Sequence, residues 1–144
     1  MKRTAVYKPQ GFDHLKGLDG ISDQQIAEHL TLYGGYVNNV NTLNERLAAM
    51  RGRGTLSGKD PEFAELTRRL GFEFSGMVLH EFYFSNLRRS EPRPPANGGL
   101  AQALSESFGS VDRWLDEFQA IGEMRGIGWA ILVEDPVTRR LTNH

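Results

Sequence analysis

Cysteine is absent from this chain of 144 residues, which excludes disulfides, thiolate metal sites and cysteine nucleophiles. An excess of charge is also absent, because 17 Lys and Arg residues stand against 18 Asp and Glu residues. Such a balance gives no electrostatic footprint for nucleic acid or an anionic membrane, so we expect neither partner. No apolar run approaches the roughly 20 residues of a membrane span, and the first residues lack an apolar signal segment. These absences predict a cytoplasmic protein.

The signature motifs of several enzyme classes are missing as well. The sequence has no G-x-S-x-G nucleophile turn, no P-loop and no G-x-G-x-x-G opening a helix. His80 and Glu81 begin the zincin pattern, but Phe84 stands where that pattern needs its second histidine. The remaining candidates for chemistry are histidines that do not belong to such a motif.

Two long amphipathic helices are predicted in the first part of the chain. Ser22, followed by a glutamine three residues later, forms a capping box. Apolar residues then recur at three- and four-residue spacing to about Ala49. Asp60 followed by Pro61 provides an N-cap and a proline at the first helical position, and this second helix extends to about residue 87.

Each predicted helix carries one histidine on its apolar face, His29 on the first and His80 on the second. Two antiparallel helices would bury both imidazoles between them. A single histidine on an apolar face is most often a hydrogen-bonded core residue. A neutral imidazole can also bind a transition metal, although two such ligands do not complete a site. From spacing alone, both interpretations remain open.

The character of the sequence changes after residue 90, where three prolines between residues 92 and 95 interrupt regular structure. Two short helices are predicted beyond them, at residues 100–108 and from residue 111, separated by Gly109 and a capping Ser110. A β-rich run at residues 126–133 and a return strand from residue 140 begin an antiparallel sheet. We therefore predict an α+β fold. It has an N-terminal antiparallel helical hairpin domain at residues 1–90, a proline-rich linker at 91–98, and a truncated C-terminal α/β domain with an incomplete sheet at 99–144.

Five segments resemble, in the same order, segments of the iron/manganese superoxide dismutases. These are residues 21–29 (ISDQQIAEH), 36–39 (YVNN), 80–87 (HEFYFSNL), 107–110 (SFGS) and 126–133 (GIGWAILV). The resemblance implies one Fe or Mn ion per subunit, with His29 and His80 as two of its ligands. It also implies that Tyr36 is the catalytic gateway tyrosine at the mouth of the substrate funnel. The alternative role of Tyr36 is that of a half-buried packing residue.

The resemblance further implies an outer layer of residues around the metal. Tyr33 takes a place usually held by a histidine, and Phe84 is the aromatic residue that walls the metal. Some iron enzymes supply a glutamine four residues before the second ligand, where this chain has Gly76. That outer-layer group can instead come from the hairpin after the Gly-Trp block, at about the position of His144, for which a frayed terminal residue is the alternative. The implied outer layer therefore comprises Tyr33, Gly76, Phe84, Trp129 and His144.

The spacing between the first ligand and the gateway tyrosine differs from the pattern of many family members, which have one more residue there. An inserted residue in a helix is commonly a π-bulge. We therefore expect a regular α-helix here, with Tyr36 two turns from His29.

The family's third and fourth ligands, in an Asp-x-Trp-Glu-His motif, have no match in this chain. We therefore expect the N-terminal part of a superoxide dismutase that supplies two of the usual four ligands and has little or no activity in isolation. The complete protein would be an antioxidant oxidoreductase, a homodimer or homotetramer that converts two superoxide anions and two protons into dioxygen and hydrogen peroxide. The alternative is a non-enzymatic helical interaction module that has lost the metal site. Iron and manganese share these ligands, so the choice of metal stays open.

Overall fold

The computed structural model describes residues 6–54, 56–89 and 97–144. The chain divides into two compact units, Met1–Ser90 and Glu91–His144. In the described residues, a short 3-10 helix (Asp13–Leu15) precedes four α-helices and a two-stranded antiparallel sheet, which confirms the predicted α+β class. The elements are α1 (Asp23–Arg53), α2 (Pro61–Asn86), α3 (Gly99–Phe108), α4 (Val111–Gly122), β1 (Leu132–Glu134) and β2 (Leu141–Asn143). The predicted linker at residues 91–98 lies outside the described residues, apart from residues 97 and 98.

Helix α1 begins at the predicted capping box. Ser22 Oγ accepts a hydrogen bond from the Gln25 backbone N–H at 3.1 Å, and Gln25 Oε1 accepts one from the Ser22 backbone N–H at 3.1 Å. The helix runs as regular α-helix to Arg53, and Gly54 ends it in a left-handed conformation with a φ of 69°. The predicted end was several residues too early, because the additional turn buries Met50, which is 2% exposed. The expected regular α-helix between His29 and Tyr36, without a π-bulge, is confirmed.

Helix α2 begins where predicted, since Asp60 Oδ1 accepts a hydrogen bond from the Glu62 backbone N–H at 2.9 Å and Pro61 occupies the first helical position. It ends at Asn86, one residue before the predicted end. Among the described residues, no helix combines the length and the apolar character that crossing a membrane requires.

The two long helices are antiparallel, because the side-chain pairs that join them run in opposite sequence order. These pairs are Tyr33 with Glu81, Asn39 with Glu73, and Arg46 with Glu62. Glu73 is 2% exposed, and its carboxylate accepts hydrogen bonds from Asn39 Nδ2 at 3.1 Å and Arg69 Nε at 2.6 Å. The buried charge is thus paired, as a charge in an interior must be.

Apolar side chains from α1 and α2 form the core of the first unit, together with residues of the N-terminal segment. The central cluster comprises Phe12, Leu15, Ile26, Tyr33, Val37, Val40, Met77 and Phe84. The N-terminal segment is held along the hairpin at Tyr7, whose backbone N–H and C=O both bond the side chain of Asn41 at 2.9 Å. The core therefore begins beside the two histidines and extends toward the other end of the hairpin.

The second unit is built from α3, α4 and the hairpin. Gly109, with a φ of 89°, ends α3, and Ser110 Oγ accepts from the Arg113 backbone N–H at 3.1 Å to start α4, both as predicted. The predicted strand at residues 126–133 was too long. Residues 126–128 form bends, Gly128 has a φ of 153°, and β1 begins only where it pairs with β2. The return strand is confirmed one residue later than predicted, at Leu141–Asn143.

Candidate metal centre

The two histidine rings lie next to each other between the long helices. Their centroids are 4.9 Å apart, and the ring planes are nearly perpendicular at 82°. His29 comes from α1 and is half-buried, whereas His80 comes from α2 and is only 3% exposed. The apolar stripe of each helix places its histidine toward the other helix, as the helical spacing indicates.

The hydrogen bond of His80 fixes which of its ring nitrogens carries the proton. Nδ1 lies 2.6 Å from the backbone carbonyl oxygen of Gly76, one helical turn earlier. Since a carbonyl oxygen can only accept, Nδ1–H is the donor. In the neutral ring, Nε2 then has the lone pair, which is the arrangement of a metal-ligating histidine oriented by a backbone carbonyl.

The surroundings of His29 favour its neutral form. Burial is the main cause that lowers the pKa of His29 below its ordinary value, and the nearby His80 lowers it further. The ring is packed between aromatic side chains, with centroid distances of 5.1 Å to Tyr83 and 5.0 Å to Phe84. A neutral imidazole is the form that binds a metal.

Tyr36 and Phe84 border the histidine pair. The Tyr36 ring lies 5.0 Å from the His80 ring at an angle of 35° and is half-buried. Phe84 is fully buried, with its ring centroid 5.0 Å from that of His29 and 6.0 Å from that of His80. The structure therefore brings together Tyr36, Phe84 and Gly76 with the two predicted ligands.

Tyr33 lies near the two histidines and is 1% exposed, with its ring centroid 6.4 Å from that of His80. Its hydroxyl donates to Glu81 Oε1 at 2.8 Å and accepts from the Gln10 backbone N–H at 3.0 Å. Burial is the largest cause that raises the pKa of Tyr33; Glu81 raises it as well, whereas the Gln10 N–H opposes the shift. Neither partner of Tyr33 was among the predicted site residues. The bond to Glu81 depends on how closely α1 and α2 pack, and the backbone N–H of Gln10 leaves no signal in a sequence.

Two predicted outer-layer residues belong to the second unit. Trp129 is half-buried and precedes β1. His144 is exposed; its backbone exchanges two hydrogen bonds of 2.8 Å with Ile131, and its Nε2 lies 3.1 Å from Thr142 Oγ1. The roles of Trp129 and His144 near the metal stay predictions.

Within residues 6–54, 56–89 and 97–144, no group of three or more His, Cys, Asp or Glu side chains could hold a metal ion. The described geometry thus defines a helical hairpin with a two-histidine candidate site, followed by an α+β unit.

The sequence of the chain matches one family of known proteins. Residues 96–144 match the family model of the iron/manganese superoxide dismutases, C-terminal domain. The chain is 36% identical over 141 residues to the superoxide dismutase [Fe] of Aquifex pyrophilus, covering 94% of this chain and 65% of that protein. It is 36% identical over 109 residues to superoxide dismutase [Mn] 1 of Haloferax mediterranei, covering 76% of this chain and 72% of that protein.

A third relative is the superoxide dismutase [Fe] of Cupriavidus metallidurans, 35% identical over 143 residues, with 94% of this chain and 67% of that protein covered. The chain belongs to the iron/manganese superoxide dismutase family. It spans 65% of the length of the Aquifex pyrophilus relative. The names of the relatives include both iron and manganese proteins, so they do not decide between the two metals.

Proposed function

We propose that the whole protein is a superoxide dismutase with one Fe or Mn ion per subunit, and that His29 and His80 supply two of the metal ligands. The observation that carries this proposal is the pair of facing imidazoles, 4.9 Å apart, in which the Gly76 carbonyl fixes the proton of His80 on Nδ1. Family membership supports the proposed function, because this chain matches relatives named as iron superoxide dismutases and relatives named as manganese superoxide dismutases.

The donor set suits the proposed ion. Neutral imidazole is a ligand that both iron and manganese accept, and the rings of Phe84 and Tyr83 pack against His29. Such an ion, when bound, supplies a one-electron redox couple that oxidises one superoxide to dioxygen and reduces a second to hydrogen peroxide, with the uptake of two protons. In this proposal, the protein contributes the position of the ligands and the local polarity.

The residues of this chain have separate tasks in the proposed reaction. The Gly76 carbonyl keeps the His80 ring in one orientation, and Phe84 supports both ligand rings. Tyr36 lies beside His80 with part of its surface open to solvent, so its hydroxyl is suited to hydrogen-bond the incoming anion or to pass on a proton. Trp129 and His144 are proposed to belong to the outer layer of the metal, as the family resemblance implies.

Three variants of the purified, metal-loaded protein test this proposal. His80→Ala removes one ligand and should abolish the retention of metal after gel filtration, whereas Tyr36→Phe should retain the metal and change the turnover of superoxide. His14→Ala is the control, because His14 Nε2 donates to the Phe84 carbonyl at 3.1 Å and is not one of the facing pair. Full metal occupancy in His80→Ala would overturn the ligand assignment, and a metal-loaded protein without superoxide-dismuting activity would overturn the function.

The expected cytoplasmic location and the homodimeric or homotetrameric assembly belong to the same proposal. Cell fractionation tests the first. Native mass spectrometry tests the second, since a monomeric mass at micromolar concentration would contradict it.

A further inference from the structure

Gly76 lies in the middle of α2. Glycine destabilises the interior of a helix relative to alanine, so its presence there needs a structural explanation. A Cβ atom built on Gly76 would lie closer than 3.0 Å to Cδ1 and Cε1 of Tyr36, and at 3.0 Å from its Cγ. Real Cβ atoms essentially never approach other atoms more closely than 3.0 Å. The Tyr36 ring thus lies directly on the backbone of α2, in space that any other residue at position 76 would fill.

This contact is specific to Gly76 among several glycines of the hairpin. A Cβ atom at Gly34 or Gly35 in α1, or at Gly71 in α2, would meet nothing within 4 Å. Gly71 is also exposed and lies one and a half turns before Gly76 on the same helix. It therefore offers a matched control, in which the same substitution adds a methyl group without a neighbour.

The ring of Tyr36 is held by residues at four-residue spacing along α2. Phe72 lies on one side, with its ring centroid 6.2 Å from that of Tyr36, and His80 lies on the other at 5.0 Å. Gly76 stands between them, and its carbonyl oxygen accepts the hydrogen bond from His80 Nδ1. Gly76 therefore leaves room for the Tyr36 ring because it has no Cβ, and it contacts His80 through its carbonyl oxygen.

We infer that Gly76 is a positioning residue, whose missing side chain sets the place of Tyr36 relative to His80. A residue with a Cβ atom would keep the backbone carbonyl that orients His80 but would push the Tyr36 ring away from α2. The outer-layer role predicted for Gly76 would then be to leave room for the Tyr36 ring and to orient His80. The catalytic part of this inference rests on the proposed function, while the steric part concerns the hairpin alone.

A thermal unfolding cycle on the metal-free chain tests the steric part. Gly71→Ala should raise the midpoint temperature Tm by about 3 °C, because alanine is the better helix former. Gly76→Ala should instead lower Tm by about 5 °C, because the added methyl group overpacks a buried contact. In a Tyr36→Ala background, Gly76→Ala should raise Tm as Gly71→Ala does. A rise in Tm for Gly76→Ala with Tyr36 present would overturn the inference.

Nuclear magnetic resonance separates positioning from a purely structural effect. The ring signals of Tyr36 and His80 should shift in Gly76→Ala and stay in place in Gly71→Ala. Unchanged ring signals in Gly76→Ala would contradict the inference. In the metal-loaded protein, Gly76→Ala should retain the metal and lose turnover, with Gly71→Ala unchanged in both. The unfolding cycle and the ring signals are measured without metal. They can therefore contradict the inference about Gly76 without contradicting the superoxide dismutase proposal, and they can support it even if that proposal is wrong.

Discussion

Replacement of Phe84 by alanine should destabilise the first unit more than any ordinary surface substitution. Phe84 is 0% exposed, and its ring packs against those of Phe12, Tyr33 and both histidines. A buried phenylalanine removes about 150–250 Å² from water, which at about 25 cal/mol per Å² contributes roughly 4–6 kcal/mol. Alanine retains about 1 kcal/mol of this, and the cavity adds to the loss. We therefore expect a decrease of about 3–5 kcal/mol in the free energy of unfolding.

The neighbouring Phe82 provides the control for this substitution. It belongs to the same helix but is 62% exposed, so Phe82→Ala should change the free energy of unfolding by no more than about 0.5 kcal/mol. Urea unfolding of the metal-free chain, followed by circular dichroism at the helical band, measures both values. A loss below about 1 kcal/mol for Phe84→Ala, or an equal loss for the two variants, would refute the placement of Phe84 at the centre of the core.

Two further predictions concern a buried hydroxyl and a helix cap. Burial raises the folded-state pKa of Tyr33 above its ordinary value of 10.0. The neutral Tyr33 hydroxyl therefore contributes its full stabilisation below pH 10.0, and this stabilisation is lost as the pH rises through the folded-state pKa. Tyr33→Phe should therefore flatten the alkaline decrease in the free energy of unfolding. A decrease as steep as in the parent chain would contradict this. Ser22→Ala removes the side chain that caps α1 and should lower the free energy of unfolding by about 1 kcal/mol. An unchanged urea midpoint would show that the capping box contributes nothing.

The helix boundaries could be predicted from the sequence where local chemistry decides them. Ser22, Asp60 and Ser110 each accept a backbone hydrogen bond at the start of a helix, and Gly109 adopts the left-handed conformation that ends α3. These signals depend only on residues within one turn. The end of α1 depends instead on the burial of Met50 against the other helix, so periodicity alone placed it too early.

The length of β1 could not be predicted from β propensity. The run at residues 126–133 is rich in strand-forming residues, yet a strand exists only where a partner accepts and donates its hydrogen bonds. Backbone hydrogen bonds to the return segment begin at Ile131, opposite His144, and the strand itself begins at Leu132, whereas Gly128 has a φ of 153° that departs from an ordinary strand.

The candidate site was predictable as a pair of helical faces but not as a set of contacts. Three- and four-residue spacing places His29 and His80 on facing stripes, and the rings do lie together. The hydrogen bond between Tyr33 and Glu81, and the contact of the Tyr36 ring with the helix backbone, depend on the distance between α1 and α2. The distance between two helices cannot be predicted from the residue pattern of either helix alone.

The most direct test of the central claim is to count the histidine nitrogens bound to the metal. Pulsed electron paramagnetic resonance on the Mn²⁺-loaded protein, labelled with ¹⁵N-histidine, detects the coupling of each directly bound imidazole nitrogen. We predict that His29→Ala and His80→Ala each remove one coupled imidazole or abolish binding, and that His14→Ala leaves the spectrum unchanged. Couplings that persist unaltered in both His29→Ala and His80→Ala would contradict the claim that these two residues hold the metal.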